Sequence, residues 1–109
     1  MSGTMEWTRV ASPADVPPGS VIQVMVNGEP IALYNLDGSL HATADVCTHA
    51  FAYLSEGYLD GDTIECPLHQ GVFHIPTGRA MGPPLTCNLA VFAVRTEGDD
   101  ILIGGRIGS

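Results

Sequence analysis

Two dipeptides ten residues apart, Asn27-Gly28 and Asp37-Gly38, constrain this chain most. Both pairs accept positive φ at the two central positions that a tight hairpin turn requires. Short apolar runs flank them: Val21 to Val26, Ile31 to Leu36, and Leu40 to Thr43. These three runs predict an antiparallel meander. Glu6 to Val10 reads as a strand before it, and Ala14 to Gly19 as a loop. Such strands, separated by turn signals at short, regular intervals, point to an all-β sandwich or barrel. The 13 glycines and 8 prolines among 109 residues fit a turn-rich β chain, and the 45% of hydrophobic residues supplies one modest core.

From Ala44 the pattern becomes irregular. Leu59 and Thr63 to Glu65 predict short strands around Asp60-Gly61-Asp62, and Val72 to Ile75 another, stopped by Pro76-Thr77-Gly78. Ala80 to Leu85 carries two adjacent prolines and is expected to be irregular. Asn88 to Arg95 resumes a strand pattern, and Ile101 to Ile103 follows the turn at Asp99-Asp100. Gly104 to Ser109 reads as a frayed tail. The expectation is a single domain spanning 1–109. Its β framework covers residues 5–43 and 87–104, and an insertion covers 44–86. Trp7 is assigned to the framework core.

Charge narrows the function. Twelve acids face four bases, all arginine, for a net charge of −8. Between Arg9 and Arg79 there are eight acids and no base. Nucleic acid and anionic membrane surfaces both demand clustered positive charge, so neither is an expected partner. No apolar run is long enough to span a bilayer. Met1 to Trp7 has neither a basic nor an apolar region, so no secretory signal and a cytoplasmic location are expected.

Cysteine and histidine carry the chemistry. Three cysteines without a signal peptide do not make a disulfide framework. Cys47-Thr48-His49 and Cys66-Pro67-Leu68-His69 are separated by residues 50–65. Each pair puts a soft thiolate and an imidazole on one short loop. Together they suit zinc, or an iron–sulfur cluster whose two irons have different ligands. Zinc fingers usually group their cysteines and their histidines separately, which this spacing does not do. A c-type haem needs a second cysteine that the Cys66 motif lacks.

The pattern resembles the Rieske family of [2Fe–2S] proteins. The resemblance rests on Cys47-x-His49, the 16-residue spacer (50–65) and Cys66-Pro-Leu-His69. Ser55-Glu-Gly-Tyr-Leu59, Ile64-Glu-Cys66, Gln70-Gly-Val-Phe73 and Gly82-Pro-Pro-Leu85 extend it, and it covers essentially the whole chain. It implies a Rieske-type antiparallel β sandwich or barrel framework with an inserted cluster-binding subdomain of two ligand loops. It implies one [2Fe–2S] cluster, with Cys47 and Cys66 on the inner iron and His49 and His69 on the outer. Neutral imidazoles on the outer iron would favour placing the electron there.

Rieske proteins of respiratory complexes add a cysteine to each loop and place hydroxyl donors near the sulfurs. Ala52, Leu68, Gly71 and Phe73 stand in those positions here. Fewer donors to sulfur imply a potential near the low end of the Rieske range, about −150 mV. The short chain leaves no room for a mononuclear iron or flavin domain. It is similar to the free-standing ferredoxin of naphthalene- or biphenyl-type dioxygenase systems. The implied role is that of a soluble monomeric electron carrier, not an enzyme. It would connect an NAD(P)H-dependent flavin reductase to a terminal Rieske non-haem iron oxygenase. The alternatives are a zinc-binding adaptor, or a Rieske subunit of another redox complex.

The remaining residues receive simpler expectations. Cys87 is read as a small buried residue at a strand start. His41 and His74 stand outside the ligand set. Asp45, Glu56, Asp60, Asp62 and Glu65 form a solvated face that can steer partners. Ala50, Phe51, Pro83, Pro84 and Leu85 are expected either to form an exposed apolar docking tip or to pack over the cluster. Tyr53 and Tyr58 are expected to pack against the ligand loops.

Overall fold

Both hairpin turns form as their residues dictate. In the computed structural model, which describes residues 6–48, 52–68, 71–82 and 87–108, Asn27, Gly28, Asp37 and Gly38 all have positive φ. They connect β2 (Ser20–Val26), β3 (Glu29–Leu36) and β4 (Ser39–Ala44) in unbroken antiparallel register. With β1 (Thr8–Ala11), β9 (Val91–Glu97) and β10 (Asp100–Gly108) they make a six-stranded sheet in the order β1-β10-β9-β4-β3-β2. Its outer strands β1 and β2 approach each other, so the sheet is nearly closed into a barrel.

A smaller four-stranded sheet comes from the intervening chain. β5 (Tyr58–Asp60), β6 (Thr63–Glu65), β7 (Val72–His74) and β8 (Arg79–Ala80) pair in chain order. Gly78, at φ 72°, turns the chain between β7 and β8. A Cβ there would overlap the Leu89 carbonyl, so this close approach needs glycine.

β3 belongs to two cores at once. Ile31 and Leu33 point into the barrel with Val24, Ala42, Ile101 and Ile103. Ala32 and Tyr34 face the small sheet and pack with Leu54, Ile64, Phe73, Ile75 and Leu89. Four consecutive buried residues therefore replace the alternation of a half-buried strand. The buried Tyr34 hydroxyl is 2.8 Å from Thr43 Oγ1, which itself donates to the Ala44 carbonyl. Burial raises the Tyr34 pKa well above that of an exposed phenol; the Thr43 bond opposes the rise and the Asp45 carboxylate adds to it.

Four local expectations need correction. Gly104 to Ser109 is not a frayed tail through Gly108: β10 continues there, with Arg106 opposite Phe92. A register shift between Ile103 and Arg106 absorbs the glycine pair. Trp7 is only half-buried and carries the Arg95 guanidinium over its ring at 4.7 Å. Asn88 to Ala90 is not strand; the Asn88 carbonyl oxygen Oδ1 instead accepts the Ala80 N–H at 2.9 Å. Ala80 is in a strand, because its partner Phe73 pairs with it.

His41 yields a pH prediction. It sits opposite Tyr34 on β4, with Ser39 Oγ 3.2 Å from its Nε2. Burial, and secondarily the nearby His74, lower its pKa below the ordinary value. The fold thus favours the neutral ring. Its contribution to stability is complete above about pH 6.5 and is lost as pH falls below it. Urea midpoints at about pH 7.5 and about pH 5.5 should differ less in His41→Gln than in the parent. Equal differences would remove His41 as a source of acid sensitivity.

Candidate metal centre

Two loops, one after β4 and one after β6, share the same closure. In the first, the Cys47 N–H donates to the Ala52 carbonyl at 2.9 Å. In the second, the Cys66 N–H donates to the Gly71 carbonyl at 2.7 Å. Each cysteine thus reaches the carbonyl five positions on. Positions 49 and 69 lie within these loops, but His49 and His69 lie outside the described residues, as do Ala50, Phe51, Pro83, Pro84 and Leu85.

The loops bring the two thiols together. Cys47 and Cys66 are 4% and 1% exposed, unbridged, and belong to one buried cluster. Burial pushes the Cys66 thiol up to about 11; the Leu68 N–H directed at its sulfur opposes this, and neighbouring Cys47 adds to the rise. Two adjacent buried thiolates repel each other, and a bound metal cation removes that penalty. Among the described residues no three potential ligands converge. The adjacent thiols, with one histidine in each loop by sequence, fit a metal–sulfur group of mixed ligation.

The surroundings limit donation to sulfur. Gly71 has no side chain, and Phe73 packs in the core shared by both cysteines. Leu68 is 48% exposed, and Val46 and Met81 also expose apolar surface, Val46 and Leu68 lying within two residues of the thiols.

Asp45 departs from the solvated face assigned to it. It is fully buried, with its carboxylate enclosed by Gln23 and Ser55. Its Oδ1 accepts the Ser55 N–H at 2.7 Å, and its Oδ2 accepts Ser55 Oγ at 2.8 Å and Gln23 Nε2 at 2.7 Å. Neither Gln23 nor Ser55 has a sequence signal of such a role. The other acids of that group are exposed or half-buried.

Cys87 is exposed rather than buried, since it precedes β9 by several residues. Its carbonyl accepts Thr48 Oγ1 at 3.1 Å, tying this segment to the first loop. Tyr58 is 65% exposed on the outer strand of the small sheet, not packed on the loops. Tyr53 is exposed too, although its backbone bridges Val46. His74 connects two turns, with Asp62 Oδ2 at 3.0 Å from Nε2 and Thr77 Oγ1 at 2.7 Å from Nδ1.

Residues 6–93 match the Rieske [2Fe–2S] domain, and the chain belongs to that family. Its cofactor is accordingly one Rieske-type [2Fe–2S] cluster. The chain is 43% identical over 100 residues to the ferredoxin component of the naphthalene 1,2-dioxygenase/salicylate 5-hydroxylase systems of a Ralstonia species, covering 92% of this chain and 96% of that protein. It is 45% identical to the biphenyl dioxygenase ferredoxin subunit of Pseudomonas sp. strain KKS102, covering 91% and 92%. Among solved structures it superposes with TM-score 0.85 on a chain of the complex of reduced oxygenase and oxidized ferredoxin in carbazole 1,9a-dioxygenase, at 41% identity, covering 91% of this chain and 93% of that one. These relatives are electron-carrying components of dioxygenase systems rather than catalytic oxygenases.

Proposed function

We propose that this chain is the ferredoxin component of an aromatic-ring-hydroxylating dioxygenase system. It accepts one electron from an NAD(P)H-dependent flavin reductase and delivers it to a terminal Rieske non-haem iron oxygenase, in the cytoplasm. The observation that carries this reading is the near end-to-end match to ferredoxin components, over 92% of this chain and 96% of the relative. Cys47, His49, Cys66 and His69 hold the cluster, on an insertion (44–86) within one domain. When bound, the cluster supplies reversible one-electron chemistry.

The chain's own residues do the rest. The paired thiols are shielded from water by Phe73, Leu54 and Ile64. Exposed Val46, Leu68 and Met81 give an apolar contact surface for a short-lived encounter. The net charge of −8 steers partners that present basic patches. No helix among the described residues is long and apolar enough to cross a membrane.

Reconstitution tests the role. Added to a biphenyl dioxygenase reductase and oxygenase, the protein should restore NADH-dependent product formation. Failure with the reductases and oxygenases of the naphthalene, biphenyl and carbazole systems alike would overturn it. Charge steering adds a second expectation. Raising ionic strength from about 0.01 to about 0.1 M shortens the screening length from about 30 to about 10 Å, so reductase coupling should slow. A rate independent of salt would remove the acidic surface from docking.

A further inference from the structure

We propose that Asp45 is a positioning residue: its carboxylate staples the neck of the first loop and thereby sets how firmly the chain retains its cluster. The proposal rests on the reading of Cys47 and His49 as ligands.

The two loops are held at their necks in different ways. The second leaves β6 at Glu65 and returns in β7 at Val72, and these two residues are register partners in the sheet. Strand pairing fixes that neck. The first loop leaves β4 and returns in a 3₁₀ turn (Leu54–Glu56), with one isolated bridge between Val46 and Tyr53. Asp45 lies where this loop departs, and Ser55 where it returns. The Asp45 carboxylate takes both the N–H and the hydroxyl of Ser55. Its own backbone joins in: its carbonyl accepts the Leu54 N–H at 2.7 Å, and its N–H donates to Pro30 at 3.2 Å. Gln23, from β2 of the barrel, completes the set and ties the neck to the framework.

Burial gives the arrangement its weight. A fully buried carboxylate is costly unless its oxygens are hydrogen-bonded. No salt bridge among the described residues involves Asp45, so these three donors carry that task. Serving the 3₁₀ turn alone does not account for the geometry. The residue preceding that turn is Tyr53, and Gln23 comes from β2 of the six-stranded sheet. Removing the carboxylate leaves the Ser55 N–H and the Gln23 amide without their acceptor, and the neck is then held only by backbone contacts such as Leu54 N–H to the Asp45 carbonyl and the Val46–Tyr53 bridge. Asn at this position keeps an acceptor for Ser55 N–H, and the Gln23 amide can turn its oxygen toward the new NH₂ group.

The test uses purified holoprotein with an iron chelator. Loss of visible cluster absorbance is followed in the parent, Asp45→Ala, Asp45→Asn and Ser55→Ala, and EPR is recorded on the fraction still loaded. Leu33→Ala, inside the barrel and away from the loops, serves as a stability control. Removing a group that orients ligands typically costs about 10- to 100-fold in metal retention, and D45A should lose cluster faster by that order. S55A and D45N should lie between D45A and the parent, and the remaining D45A signal should be broadened. Ser55→Ala deletes only one hydroxyl, so it reports even where D45A does not fold. Parent-like retention in both D45A and S55A would overturn the proposal. So would equal acceleration in L33A and D45A, which would reduce Asp45 to a general stability role. A parent protein lacking the cluster absorbance would instead overturn the ligand reading itself.

Discussion

His69→Ala, and separately His49→Ala, is expected to yield a protein that keeps its β framework but lacks the Rieske centre. Each change removes one imidazole nitrogen from a set with one histidine per loop. Neither touches the backbone bonds that close the loops, which run from Cys47 N–H to Ala52 and from Cys66 N–H to Gly71. The barrel core around Leu33, Ile101 and Ile103 is separate from both loops. Iron content should therefore fall nearly to background while the far-UV circular dichroism stays β-like. An unchanged Rieske spectrum in either variant would remove that histidine from the ligand set.

Phe73→Ala should cause the largest loss of stability. Phe73 is fully buried, and its ring packs in the core that includes Cys47 and Cys66. Truncating a buried phenylalanine to alanine costs about 3–5 kcal/mol, from lost apolar transfer and the cavity left behind. A small domain has only about 5–15 kcal/mol in total. The expected result is a large drop in denaturant midpoint, accompanied by faster cluster loss because the cavity opens beneath both thiols. A cost below about 1 kcal/mol would show that the site collapses around the missing ring, or that this core contributes little to stability.

Much of the framework could be read from the sequence because its determinants are local. Asn27-Gly28 and Asp37-Gly38 specify their turns through backbone conformation alone, and the meander of β2, β3 and β4 follows. The course of β10 could not be read this way. Gly104-Gly105 looks like a chain end, and only pairing with β9 converts it into a bulge within a longer strand. Trp7 looks like core by composition, but its ring lies under Arg95, outside both core clusters.

The site divides in the same manner. Cys47 and Cys66 stand out in the sequence by motif spacing, and both belong to one buried cluster. Asp45 was not distinguishable from its acidic neighbours, because its burial depends on Gln23 and Ser55. Those partners lie 22 and 10 residues away and make no local pattern with it. Cys87 escapes a sequence reading for the complementary reason. Its hydrophobic character suggested burial, but the segment before β9 runs along the surface, tied by its carbonyl to Thr48.

The most direct measurement is EPR on purified protein before and after dithionite, with iron and acid-labile sulfide assayed on the same sample. The expected result is a silent oxidised state, a rhombic reduced signal of low average g, and equal amounts of iron and sulfide, two of each per chain. Stoichiometric zinc in a colourless sample that stays EPR-silent after dithionite, prepared without air and with iron supplied, would contradict a mixed histidine–cysteine [2Fe–2S] centre and the electron-carrier role with it.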